Sequence, residues 1–213
     1  MIGLPVTARL RRAATGTSDA RWRLREATRD LHDRAEAVLG DGPTRDRGAY
    51  IAMLGAMLGM TEAVLPAVDA RLPPLLTAGL HRDRARLGAD LADLGAPVPP
   101  PPSGIEVPSR AGALGALYVC EGSKLGARVL ARQAEAGLGL TMDFGAAYLN
   151  GDGAAAGARW QGFVEALDRD VTGHGDMRDA LRAARRVFHL LIDSYEAARW
   201  PILCETRGSD GRA

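Results

Sequence analysis

Leu117-Tyr118-Val119-Cys120-Glu121-Gly122-Ser123-Lys124-Leu125-Gly126-Ala127-Arg128 decides the reading of this chain. Its apolar spacing is helical, yet two glycines stand four residues apart in its middle. A glycine in a helix interior costs about 1 kcal/mol relative to alanine. Residues four apart share a helix face, so Gly122 and Gly126 would strip one face bare. A bare face admits close approach, either by a neighbouring helix or by a flat, bulky ligand. Ser123 adds a polar group between the two glycines. Arg128 and Arg132, on the next turns, are either a solvated face or partners for acidic groups.

Outward from this stretch, helical periodicity dominates and no period-2 strand stands out. One helix is expected from Ser18 or Asp19 to Leu39, with Ala20, Leu24, Ala27, Leu31 and Ala35 inward. A second covers Asp46 to about Met60, with a kink near Pro66 on the way to Leu72. A third runs from His81 to Leu94. The proline-rich stretch Ala96–Pro108, with four consecutive prolines from Pro99, reads as a stiff connector inside one domain. The glycine-bearing helix follows from Ser109 to Glu135. A shorter helix is expected over Gly157–Asp170, and a long one from Asp176, as N-cap, to Leu203. The sum is an all-α single domain of six to eight helices over residues 18–204. Residues 1–17 and 205–213 read as flexible tails.

The chain has 213 residues and a net charge of +1, enough for one self-sufficient core. That balance gives no reason to expect nucleic acid or an anionic membrane as partner. No apolar run reads as approaching the ~20 residues of a membrane span. Cys120 and Cys204 are isolated, which argues against a zinc site and suits a reduced, cytoplasmic compartment. Lys124 is the only lysine and lies inside the glycine motif.

His32 lies at the edge of the first helix's apolar face. Glu36, four residues on, can reach its Nδ1–H. An imidazole supported in this way keeps Nε2 free, fixed in tautomer and more basic, which makes a good metal ligand. Arg25, about two turns earlier, falls on the same side. The plain alternative is a solvated His–Glu pair. His189 reads as an ordinary helix residue, and Trp22, Trp160 and Trp200 as packing. Tyr50, Met53 and Met57 read as core.

Two segments resemble one known family. Leu24-Arg25-Glu26-Ala27-Thr28-Arg29-Asp30-Leu31-His32-Asp33-Arg34-Ala35-Glu36 is similar to the proximal-helix pattern of bacterial haem oxygenases, L-R-x-x-T-x-x-x-H-x-x-x-E. Leu117 to Gly126 is similar to their distal pattern, L-Y-V-x-E-G-S-x-L-G. Leu87–Gly95 resembles their D-L-x-x-L-G segment, and Trp160, Phe163 and Leu167 resemble a W-x-x-F-x-x-x-L helix. The likeness spans about Arg21 to Cys204, in order.

The resemblance implies the haem oxygenase fold, with haem between a proximal and a distal helix. It implies oxidative opening of haem to biliverdin, ferrous iron and carbon monoxide, using O2. His32 would ligate the iron and Glu36 would support it. Gly122 and Gly126 would let the distal helix lie over the haem, and Ser123 would help order a water. Arg25 is the first candidate for a propionate contact and Arg132 the second. Phe188, on the last helix, would join the haem-binding set.

Gly151-Asp152-Gly153 follows no strand and so is no dinucleotide loop. Electrons would then come from an external ferredoxin or reductase, and a bilin-accepting phytochrome is a candidate recipient of product. Lys124 stands where the family carries a small or amide residue. Pointing outward it would be inert or dock a donor, and pointing inward it would perturb bound oxygen. The rival readings are a non-catalytic haem carrier or sensor, a thiaminase-like protein using Cys120, a di-iron protein, and a purely structural helical domain.

Overall fold

The computed structural model describes residues 19–40 and 42–209, with the side chains of 19, 154 and 199–209 excepted. The expected tail 1–17, Ser18, residues 210–213 and the side chains of Trp200 and Cys204 lie outside the described residues. Nine α-helices follow one another among the described residues: α1 Asp19–Ala27, α2 Arg29–Leu39, α3 Arg47–Asp69, α4 Pro74–Asp93, α5 Arg110–Ser123, α6 Ala127–Leu138, α7 Ala147–Asn150, α8 Ala156–Asp170 and α9 His174–Ser209. Short 3-10 turns lie at Gly42–Thr44 and Gly153–Ala155. The only β features among these residues are isolated bridges from Thr141 to Phe144 and Gly145.

α3 and α5 form the centre, both packed on α9. Most of α3 is buried, including Tyr50, Met53 and Met57. By length and composition α3 is apolar enough to cross a membrane, which the sequence reading did not expect, but 78% of its most apolar window is buried in the fold. Pro66 sits inside α3, which ends at Asp69. The proline-rich connector lies along α3, with Pro99 against Gly55 and Pro102 against Gly59. The Ile105 N–H donates to the Ala63 carbonyl at 3.1 Å.

Several boundaries differ from expectation for local reasons. α4 begins at Pro74 rather than His81, since proline suits a first turn whose N–H has no partner. α9 begins at His174. Asp176 caps it from within the first turn, accepting from the Gly173 N–H at 2.9 Å. α9 also runs on to Ser209, into the stretch expected to be a tail. Trp22 is 55% exposed rather than packed.

Two breaks matter most, because each falls in an expected continuous helix. The first separates α1 from α2 at Thr28, whose hydroxyl donates back to the Leu24 carbonyl at 2.8 Å. Such back-bonding bends helices. Arg185 of α9 seals the break, donating to the Ala27 carbonyl at 2.9 Å and forking onto both Asp30 oxygens at 3.0 Å. The second break lies at Lys124–Gly126, between α5 and α6. Gly122 and Gly126 therefore flank a bend instead of lying along one straight helix.

Candidate functional site

α1–α2 and α5 meet where Tyr118 of α5 hydrogen bonds the Thr28 side chain, with Arg25 and Arg21 close enough to act on the phenol electrostatically. Burial nevertheless holds the Tyr118 phenol above its ordinary value. His32 lies one turn beyond Thr28, and Gly122 one turn beyond Tyr118.

The glycines of α5 differ in what lies against them. A Cβ on Gly115 would run into the Ala180 backbone, so α5 and α9 touch there without a side chain between them. Gly122, seven residues on and on the same face, would meet nothing within 4 Å, and neither would Gly126. The close-packing explanation therefore holds for Gly115 and fails for the motif glycines. Gly122 is half-buried and Gly126 exposed. Beside them Leu125 and Val129 are 63% and 57% exposed, an apolar rim with no cover.

His32 stands on α2, one turn beyond Thr28. Its side chain is 60% exposed, and Nδ1 lies 3.5 Å from Glu36 Oε1. Phe188 of α9 meets the imidazole edge-on, with centroids 6.3 Å apart and planes at 70°. Ligand-capable atoms of His32, Asp33 and Glu36 also cluster, all exposed.

Of the expected residues, His32, Glu36 and Phe188 come together, and Arg25 is exposed close to the Tyr118 contact. Ser123 is engaged on the protein side. Its hydroxyl donates to the Cys120 carbonyl at 2.8 Å and also bonds the buried Tyr148 phenol. A hydroxyl carries one proton and two acceptor lone pairs, so with its proton given to Cys120 Ser123 can order a water as an acceptor. Arg132 lines a groove of ≈ 420 Å³ with Arg128, Glu135, Thr141–Asp143 and Asn150. None of His32, Phe188 or Gly122 borders that groove.

At the α5–α6 bend lies a charge cluster that sequence reasoning missed. Arg159 of α8 donates to Glu121 of α5 at 2.6 Å, to Asp83 of α4 at 2.9 Å and to Asp152 at 3.0 Å. Its guanidinium lies against Gly79 of α4, where a Cβ would collide with it. Lys124 points into this cluster, with Nζ 2.8 Å from Asp83 Oδ1 and 3.4 Å from the Tyr148 ring centroid. Neither inward contact with a ligand nor outward docking describes it. The one clue in the sequence was an acid, Glu121, in an apolar helix.

Burial raises the Glu121 carboxyl, with Arg159 opposing. Burial and the Glu121 charge push up the Cys120 thiol, which stays protonated and unsuited to thiaminase-like nucleophilic chemistry. Burial also pushes at Asp152, but hydrogen bonds from Arg82, Arg159 and Arg86 outweigh it and hold the group well below 3.8. A depressed carboxylate stabilises the fold above its unfolded value, and that stabilisation vanishes as pH falls through the folded one. Asp152→Asn should therefore melt below the wild type at neutral pH. The gap between the two should close below about pH 4, as thermal melts across the acid range will show.

Comparison with known proteins gives the same picture. Heme oxygenase PigA of Pseudomonas aeruginosa is 34% identical over 181 residues, covering 82% of this chain and 90% of that protein. The NO- and CO-bound haem oxygenase of Neisseria meningitidis superposes with a TM-score of 0.70 at 24% identity, over 84% of this chain and 91% of that one. The haem oxygenase of Leptospira interrogans superposes with a TM-score of 0.66 at 18% identity, over 84% and 98%. No family model matches the chain.

Proposed function

The chain belongs to the haem oxygenase family, and from that premise we propose that it opens haem to biliverdin, ferrous iron and carbon monoxide, using O2 and external electrons. The observation that carries this reading is what each helix presents one turn beyond the Thr28–Tyr118 contact. One side presents an exposed histidine backed by a carboxylate, and the other presents two glycines facing space. A planar macrocycle laid over the bare glycines would cover the exposed Leu125 and Val129, and their burial would favour its binding.

Bound haem supplies the iron at which O2 is activated. His32 would hold that iron through Nε2, with Glu36 placed to accept from Nδ1–H and fix the tautomer. A neutral imidazole would donate less electron density to the iron than a thiolate does. Phe188 limits rotation of the imidazole from its edge. Gly122 and Gly126 keep the distal surface thin, so their peptide groups, with the Ser123 hydroxyl as an acceptor, would order the proton-delivering water. Arg25 pairs with one propionate and Arg132 is the second candidate. We place the protein in the cytoplasm, where the buried free thiol of Cys120 is stable.

Electrons come from a ferredoxin or reductase docking on arginines near the haem edge. Donor-supported turnover is then expected to fall steeply with salt, and a flat salt profile would count against an acidic donor. A phytochrome that accepts the bilin is one recipient this reading allows.

Hemin titrated into the purified protein should give a sharp Soret band. Supplied with ascorbate or a ferredoxin system in air, with catalase present, that band should decay into a biliverdin spectrum. A stable complex that never turns over would mean a carrier or sensor, and no binding would overturn the site.

A further inference from the structure

We propose that Lys124 is a positioning residue. From behind the cleft it sets how the Gly122–Gly126 bend sits over the substrate, with Glu121 as the second anchor. The inference rests on the haem reading of that cleft.

The bend is intrinsically soft. Between α5 and α6 the backbone tightens to i→i−3 bonds: Lys124 N to Glu121 O at 3.3 Å, Leu125 N to Gly122 O at 3.1 Å and Ala127 N to Lys124 O at 3.2 Å. Such geometry is poorer than the α-helical ladder, and the glycines add backbone freedom. Gly122 and Gly126 have nothing against their missing side chains, so the cleft side does not hold them.

The opposite side does. Glu121, 3% exposed, receives two hydrogen bonds from Arg159, at 3.0 and 2.6 Å. Lys124, three residues later, reaches Asp83, which is 1% exposed and itself held by Arg159. Tyr148 receives the Lys124 stem and charge on its ring face. Gly122 and Ser123 are thus suspended between two buried anchors on α4 and α8. A lysine at this position is costly to bury, and burial does lower its pKa. A neutral side chain would serve packing alone. A charge bonded to a buried carboxylate fixes one direction.

Misplacing a reacting group by about 1 Å costs on the order of 100-fold in rate. Loss of the anchor should therefore reach catalysis while leaving His32, Arg25 and the apolar rim to bind haem. Lys124→Met is expected to bind hemin within about threefold of wild type, to lose about 10- to 100-fold in kcat, and to broaden the ratio of biliverdin isomers. Lys124→Arg, which keeps the charge, should recover most of kcat.

Independently of haem, the amides of residues 122–127 should exchange about tenfold faster in Lys124→Met than in wild type, with the rest of α5 unchanged. Unchanged exchange at 122–127 overturns the positioning role whether or not haem binds. A parallel loss of haem affinity and kcat overturns it too, since that marks general structural damage. Should Lys124→Met not fold, Glu121→Gln carries the same tests, because it keeps size and an acceptor for Arg159. Failure of wild type to bind hemin overturns only the haem reading, because the exchange measurement still decides the anchor.

Discussion

His32→Ala is expected to fold as well as the wild type yet to give no ligated haem and no turnover. The side chain is 60% exposed, with Glu36 Oε1 3.5 Å from Nδ1 and the Phe188 ring in a T-shaped arrangement beside it. Surface changes of this kind usually move stability by no more than about 0.5 kcal/mol. The loss should therefore be almost wholly chemical, visible as a missing Soret band at an unchanged melting temperature. Imidazole added to the buffer should partly restore the spectrum by filling the vacated position. Glu36→Gln should be milder, about 10- to 100-fold in affinity or rate, as for other partners that orient a metal-bound histidine. A wild-type spectrum in His32→Ala would mean that another side chain ligates the iron, and the cleft would have to be reassigned.

What the sequence revealed and what it hid divide along one physical line. Helices announce themselves through local periodicity: those expected to start near Asp46 and Ser109 start at Arg47 and Arg110, where Asp46 accepts from the Ala49 N–H and Ser109 from the Gly112 N–H. The His32–Glu36 pair is local as well. Hidden were the contacts whose partners are far apart in the chain. Arg159 reaches Glu121 across 38 residues and Asp83 across 76, and Arg185 reaches Asp30 across 155. Without those partners, both helix breaks look like continuous helix. Thr28 is an ordinary helical threonine until its hydroxyl is seen bonding backward, and the Lys124 bend is a regular amphipathic turn until its anchor is known. The orientation of Lys124 was undecidable for the same reason, since Asp83 on α4 decides it.

Glycine shows most sharply where sequence reading stops, and it yields the second large effect. Gly115 and Gly122 are both glycines of α5, on one face, and nothing local distinguishes them. Gly115 exists because the Ala180 backbone occupies the space of a side chain, whereas Gly122 exists although no protein atom does. Their substitutions should therefore act with opposite sign. Gly115→Ala forces α5 and α9 apart at their closest approach, where backbone cannot yield, and should cost about 1–3 kcal/mol or more. Gly122→Ala should instead raise stability by up to about 1 kcal/mol, because it removes a helix penalty and meets no neighbour. Gly122→Leu should remain folded as well. Its side chain would project into the slot and weaken haem binding by at least about tenfold, 1.4 kcal/mol. Thermal melts and hemin titrations on the three variants separate a glycine kept for a neighbouring helix from one kept for a ligand. If Gly122→Leu melts early and binds haem normally, the space beside Gly122 is not the haem slot, and the distal half of the site falls with it.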